Sequence, residues 1–197
     1  MLPSSPMVVP PGLSVLLTAG QIRSRVAALG REIARQYPPG RDPHLVAVLK
    51  GGAVFAADLI RAMARPLTLD FVALSSYGAG TRSSGPVRVV GDLMGSVEGR
   101  DLLIVEDIVD SGGTLAWLQD TLRQGRPRSL RTVALLDKSS RRRTAVSVDH
   151  VGFTIEDRFV VGYGLDLAER YRELPYVAVV DAPAGLAEES RRAAGAS

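Results

Sequence analysis

Leu102-Leu103-Ile104-Val105-Glu106-Asp107-Ile108-Val109-Asp110-Ser111-Gly112-Gly113-Thr114 joins an unbroken apolar run, three acids and a turn of glycines and hydroxyls. Continuous rather than alternating hydrophobicity at 102–105 predicts a strand covered on both faces, as in a parallel sheet. Helical spacing follows over 113–124, where Leu115, Trp117, Leu118 and Leu122 share one stripe. At the junction, small residues let backbone amides approach an anion. Ser111 and Thr114 add hydroxyl donors, and the helix start contributes its positive end. This is a cradle for one phosphate group. It is not a nucleoside-triphosphate loop, because Gly-Lys-Ser/Thr is absent, and no G-x-G-x-x-G follows a strand. Glu106, Asp107 and Asp110 stand just before it. Acids beside a phosphate site make sense if they hold ribose hydroxyls, a Mg²⁺ ion, or a carbon that becomes cationic. Complementing a helix dipole accounts for one such acid, not three.

Working outward, the same pattern repeats. Apolar runs at 45–49, 69–74 and 132–136 read as further strands, with 87–90, 151–155, 159–161 and 176–180 as shorter ones. Helical stretches are expected at 52–64 and from Thr18 to near Tyr37. In the latter, Thr18 and Gln21 form a capping box, and Ile22, Val26, Leu29 and Ile33 form the apolar stripe. Strands alternating with helices predict an α/β protein with a central, mostly parallel sheet. In such a sheet ligands bind beyond the carboxyl ends of the strands. Those ends carry Lys50-Gly51-Gly52, Ser75-Ser76-Tyr77-Gly78, the acid-and-cradle segment, and Asp137-Lys138-Ser139.

A chain of 197 residues fits one domain. Residues 1–12, rich in Pro, and 182–197, rich in Ala, Gly and Arg, are expected to be flexible, leaving 13–181 as the folded domain. Zero cysteines exclude disulfides, thiolate nucleophiles and thiolate metal sites. No apolar run reaches membrane-spanning length, and the N-terminal segment does not read as a signal peptide, so a cytoplasmic protein is expected. The net charge of +3 is spread along the chain and aromatics are only 5%, too few for a base-stacking platform, so no nucleic-acid partner is expected. Of 24 basic residues, 22 are Arg; the two lysines, Lys50 and Lys138, both fall at strand ends. The cluster Arg141-Arg142-Arg143 reads as a solvated turn or a subunit contact. His44 and His150 carry no motif.

The segment from Leu103 to Thr114 resembles the phosphoribosyl-pyrophosphate signature of type I phosphoribosyltransferases. Leu49-Lys50-Gly51-Gly52, Ser75-Ser76-Tyr77-Gly78, Leu135-Leu136-Asp137-Lys138, Phe159-Val160-Val161-Gly162-Tyr163-Gly164-Leu165-Asp166 and Arg170-Tyr171-Arg172 are similar to bacterial hypoxanthine (hypoxanthine-guanine) phosphoribosyltransferases. The resemblance spans roughly residues 18–181. It implies the type I phosphoribosyltransferase fold, a twisted sheet flanked by helices with a small hood built from the chain-terminal segments. It also implies a Mg²⁺-dependent purine-salvage transferase. That enzyme moves phosphoribose from phosphoribosyl pyrophosphate to N9 of hypoxanthine, and of guanine, giving IMP or GMP and pyrophosphate.

Carried over residue by residue, the resemblance makes Asp110 the acid/base partner of purine N7. It gives Glu106 and Asp107 the ribose hydroxyls and the metal, with Asp166 joining the metal site. Ser111, Gly112, Gly113 and Thr114 would hold the 5′-phosphate. Lys50 and the Gly51 amide would meet pyrophosphate, in a loop where the family has a non-proline cis peptide, with Arg172 on the same group. Lys138 would donate to purine O6, Phe159 would stack on the ring, and the Val160 main chain would read its edge. Ser76 and Tyr77 fall among the substrate-binding residues, followed by a mobile loop over 78–90. The loop sequence at 78–85 and Leu167, where many relatives carry Tyr, depart from the family pattern. A homodimer or homotetramer is implied. The alternatives are a transferase for xanthine or a pyrimidine, and a non-catalytic regulator that binds phosphoribosyl pyrophosphate or a nucleotide. Asp110 and Lys50 speak against the regulator, since a sensor has less need of acid/base and pyrophosphate groups.

Overall fold

The structure is a computed structural model that describes residues 9–76, 87–90 and 95–181. The chain divides into two units, one of residues 23–157 and one assembled from 1–22 and 158–197. The second matches the expectation of a small unit built from both chain ends. Tyr77, most of the expected mobile loop, residues 1–8 and the C-terminal segment 182–197 lie outside the described residues.

The larger unit holds a six-stranded sheet in the order β4-β3-β2-β5-β6-β7. Its strands are β2 (His44–Leu49), β3 (Thr68–Ser76), β4 (Val87–Val90), β5 (Asp101–Val109), β6 (Ser129–Asp137) and β7 (His150–Thr154). All neighbours pair in parallel except β3 and β4. Two crossover helices complete the βαβ units, α2 (Gly52–Met63) between β2 and β3, and α3 (Gly113–Gln124) between β5 and β6. The chain therefore leaves β2 towards β3 on one side, and later resumes at β5 on the other. That reversal makes the carboxyl ends of β2 and β5 a topological switch point, where an open α/β sheet leaves a crevice for ligands. Val46, Val48, Ile104 and Ala134 pack under α3 through Leu115, Leu118 and Leu122, all nearly excluded from solvent.

The long helix α1 (Ala19–Ala34) begins at the expected capping box. Gln21 Oε1 accepts from the Thr18 amide at 2.9 Å, and the Gln21 amide donates to Thr18 Oγ1 at 3.3 Å. It stops at Ala34 rather than near Tyr37, because the amides of Gln36 and Tyr37 turn back to the carbonyls of Ile33 and Ala34, three residues earlier. β5 is longer than the apolar run implied. Its acids interrupt hydrophobicity, but a ladder to β6 needs only main-chain groups, and pairing runs on to Val109 opposite Asp137.

In the smaller unit β1 (Leu13–Leu17), β8 (Val160–Val161) and β9 (Val177–Val180) form an antiparallel sheet in the order β1-β9-β8. Strand β1 was not among the expected elements. It gains its partner only through β9, where Leu13 faces Val180. Leu13, Val161, Tyr176, Ala178 and Val180 form the core, and Leu167 packs against it. No helix among the described residues is long and apolar enough to cross a membrane.

Candidate active site

Three chain segments meet at the carboxyl edge of the larger sheet. The first is the turn after β2, where Lys50 is exposed and the Leu49–Lys50 peptide is cis. Gly51 caps α2 without any side-chain hydrogen bond. Gly52 packs on the end of β5 so closely that a Cβ there would lie 3.2 Å from the Val105 carbonyl oxygen and 3.7 Å from the Asp107 amide. The pyrophosphate turn expected from the sequence thus abuts the two acids of β5.

The second segment is the cradle. Gly112 has φ +86°, a left-handed conformation in which an L side chain is strained. Its position as N-cap of α3 provides no side chain to satisfy the first-turn amides, and no acid lies in that turn. A self-capped, dipole-complemented helix start is therefore not what these residues build. The first-turn N–H groups have no intrahelical partner by geometry. The cradle borders a cleft of about 210 Å³ lined by Val48, Leu49, Leu74, Glu106, Ile108, Val109, Asp110, Ser111, Gly112, Thr114 and Leu115. Glu106 is buried in this wall. Loss of hydration, and then the charge of Asp107, push its carboxyl well above the usual carboxylate range. A carboxyl so placed suits a ligand that brings a cation or a hydroxyl.

The third segment follows β6. Lys138 donates its backbone N–H to the Val109 carbonyl at 3.0 Å, which fixes it beside Asp110. Its side chain is only 8% exposed and its ammonium faces Asp157 at 3.9 Å. The neighbour in sequence, Asp137, pairs instead with Arg142.

The arginine cluster is a turn with Arg141 and Arg143 exposed, as expected, and it also makes contacts that the expectation did not include. Arg143 and Thr144 donate backbone N–H groups to the Ser111 carbonyl at 3.0 and 3.1 Å. Arg141 pairs with Asp110 and with Asp157. Arg141 keeps much of its exposure while pairing with these acids, so solvation and ion pairing coexist at the turn. Asp157, and the contacts of Arg141 with Asp110 and of Arg142 with Asp137, were not anticipated from the sequence. A run of arginines directly after the strand-end lysine was the available signal.

Phe159, Val160, Asp166 and Arg172 lie on the smaller unit. Phe159 is 49% exposed, and its carbonyl accepts from Val180 at 2.9 Å. Val160 is buried opposite Val179. Asp166 is engaged by Arg172 at 2.9 Å and by the Glu169 amide at 2.9 Å. Arg172 also reaches Glu169 at 3.2 Å and the Gly164 carbonyl at 2.8 Å. Ser76 ends β3, with only its backbone described. His44 and His150 are buried and hydrogen-bonded within the larger unit, consistent with their lack of a motif.

Among the described residues no three His, Cys, Asp or Glu side chains form a ready-made metal cage. Two acids on one strand fit a different arrangement. Mg²⁺ commonly takes one or two carboxylates and completes its shell with water and substrate phosphates.

Comparison with known proteins agrees with this geometry. Residues 14–168 match the family model described as the phosphoribosyl transferase domain. A hypoxanthine-guanine phosphoribosyltransferase of Mycobacterium avium is 50% identical over 186 residues, covering 91% of this chain and 92% of that protein. One from Bacillus subtilis is 48% identical over 166 residues, covering 84% and 92%. The crystal structure of a Staphylococcus aureus hypoxanthine phosphoribosyltransferase superposes with a TM-score of 0.82 at 41% identity, covering 87% of this chain and 92% of that one. A hypoxanthine-guanine phosphoribosyltransferase from Bacillus anthracis, crystallised with HEPES in its active site, gives 0.80 at 42% identity, with 85% and 98% covered. With a switch-point cradle, acids on β5 and a buried strand-end lysine in place, the chain belongs to the phosphoribosyltransferase family, in its hypoxanthine-guanine group.

Proposed function

We propose that this chain transfers phosphoribose from phosphoribosyl pyrophosphate to N9 of hypoxanthine and guanine, releasing pyrophosphate and giving IMP or GMP. The observation that carries this reading is the 3.0 Å bond from the Lys138 amide to the Val109 carbonyl. It ties the backbone of Lys138 to the residue before Asp110, which supports reading the two side chains as neighbours at one strand edge. An ammonium donates but cannot accept, so it suits a 6-oxo group and offers nothing to a 6-amino group.

In this mechanism Ser111 to Thr114 hold the 5′-phosphate by main-chain amides and hydroxyls. Lys50 and the Gly51 amide take the pyrophosphate that departs with the C1′–O electron pair. Glu106 and Asp107 hold the ribose hydroxyls and offset the positive charge that develops on the sugar. As N9 forms its bond to C1′, the proton on N7 passes to the Asp110 carboxylate. Phe159 stacks on the base, the Val160 main chain reads its edge, and Arg172 adds a second cation for pyrophosphate; Ser76 and Tyr77 border the same substrate. Glu106 and Asp107 would hold a Mg²⁺ ion, a role the resemblance also gives Asp166, and that ion would supply charge neutralisation for the leaving group. The resemblance supports a homodimer or homotetramer acting in the cytoplasm.

A spectrophotometric assay with hypoxanthine, guanine and adenine, with and without Mg²⁺, tests the reading. Turnover of both oxopurines, lost on chelation and restored by Mg²⁺, is expected. Faster use of adenine would overturn the assignment of Lys138, and full activity after chelation would remove the metal.

A further inference from the structure

Four charged side chains of the larger unit alternate in sign across the site. Arg141 Nε lies 3.0 Å from Asp110 Oδ1, and Arg141 NH1 lies 3.1 Å from Asp157 Oδ1. That same Asp157 oxygen lies 3.9 Å from Lys138 Nζ. Asp110, Arg141, Asp157 and Lys138 thus form a chain whose two ends are the groups assigned to the base. We propose that Arg141 and Asp157 are positioning residues that hold the Asp110 carboxylate and the Lys138 ammonium at the spacing of purine N7 and O6.

The geometry at Asp110 shows how. Its Oδ1 is sealed from solvent against Arg141, while the side chain as a whole is 45% exposed. The exposure therefore belongs to Oδ2 and Cβ, so Arg141 covers one oxygen and leaves the other facing outward. The contact is ionic rather than hydrogen-bonded, since the Nε–H does not align with Oδ1. An unbraced aspartate rotates both oxygens through its terminal torsion, and that freedom must be removed before a proton can be received at a fixed atom. Lys138 has the complementary need. A largely buried ammonium requires a counter-charge, and Asp157 supplies it at a distance loose enough to leave ammonium donors for a carbonyl oxygen.

The backbone makes the spacing rigid. Lys138 is tied to Val109, and the Arg141 amide donates to the Lys138 carbonyl at 3.0 Å across the short 3-10 turn Ser139–Arg141. Both ends of the charge chain thus hang on one hydrogen-bonded stretch. An exposed ion pair with no such role contributes little to anything measurable, so the two explanations separate experimentally.

The proposal rests on the assignment of Lys138 and Asp110 to the base, and its test keeps the two apart. Arg141→Gln, Arg141→Lys, Asp157→Asn, Lys138→Gln and Asp110→Asn are made in the full chain. For each, kcat and the KM of hypoxanthine and of phosphoribosyl pyrophosphate are measured, with a thermal midpoint as folding control. Arg141→Gln and Asp157→Asn are each expected to lower kcat/KM for hypoxanthine about 10-fold, with the phosphoribosyl-pyrophosphate KM within about 2-fold. Arg141→Lys should recover part of the loss. Combined with Asp110→Asn, Arg141→Gln should cost less than about 2-fold more, because it acts through a carboxylate already removed. If Arg141→Gln is poorly folded, the isosteric Asp157→Asn carries the test alone. Unchanged hypoxanthine kinetics in Asp157→Asn, an equal rise in both KM values, or full additivity with Asp110→Asn overturns the brace. Normal hypoxanthine kinetics in Lys138→Gln overturns the base assignment itself, and the brace with it.

Discussion

Thr144 donates its backbone N–H to the Ser111 carbonyl at 3.1 Å, which lays the arginine-rich turn over the phosphate cradle. The overlap is close. A Cβ on Gly112 would sit 2.8 Å from the Thr144 carbonyl oxygen and 2.9 Å from Arg142 Cδ. Gly112→Ala meets both that crowding and a left-handed φ. It should destabilise the protein by about 1–3 kcal/mol and weaken phosphoribosyl-pyrophosphate binding. Calorimetric titration with the substrate and a thermal melt check this; wild-type values in both would show that the turn yields freely.

Asp110→Asn keeps the size of the side chain and removes its capacity to take a proton. Turnover with hypoxanthine should fall by about 10²-fold or more, with a modest change in phosphoribosyl-pyrophosphate affinity. Steady-state rates combined with substrate binding separate the two effects. A near-normal kcat would remove the acid/base role.

His44 supplies a pH test of stability at the opposite edge of the sheet. Arg100 donates to Thr68 Oγ1 at 2.6 Å, His44 Nδ1 is hydrogen-bonded to the same oxygen at 2.8 Å, and His44 Nε2 lies 3.2 Å from Asp70. Burial, and then the charge of Arg100, hold the imidazole below its ordinary range despite the opposing pull of Asp70. The unfolded chain therefore binds this proton more readily than the folded one. The contribution of His44 is complete above the unfolded value of about 6.5 and is lost as pH falls through it towards the folded value, by at most about 1.4 kcal/mol per pH unit. Urea denaturation of the protein and of His44→Gln between pH 7 and 5 should show a shallower decline in the variant. Equal slopes would mean that another group carries the acid limb.

Gly30 sits where α1 meets α2, and a Cβ there would lie 2.5 Å from Ala62 Cβ and 2.6 Å from the Ala62 carbonyl carbon. Two effects oppose each other in Gly30→Ala. Helix propensity favours alanine by about 1 kcal/mol. Overlap with backbone in a packed core costs about 1–3 kcal/mol, because the helices must part. The overlap should prevail, giving a lower urea midpoint. A raised midpoint would show that α1 can shift without loss.

Much of the fold was legible because its signals are local. The runs at 45–49 and 132–136 read as parallel strands since both faces of β2 and β6 are buried. The Thr18–Gln21 cap was readable because its donor and acceptor lie three residues apart. Misreadings arose where the deciding partner was remote. The acids at 106, 107 and 110 hid the length of β5, whose ladder to β6 depends on main-chain groups. β1 was not anticipated because its strand partner is β9, at the other end of the chain.

The candidate site divides along the same line. Glycine, hydroxyl and acid chemistry after a strand requires only neighbours in sequence, so Glu106, Asp107, Asp110 and the cradle could be recognised before any folding was known. Whether Lys138 was exposed or buried, and whether Arg141 reached a carboxylate, depended on separations of a few ångströms between segments apart along the chain. Coulomb attraction and burial act through space. The sequence alone therefore determined which groups were available for the chemistry, and the tertiary structure decided which of them touch.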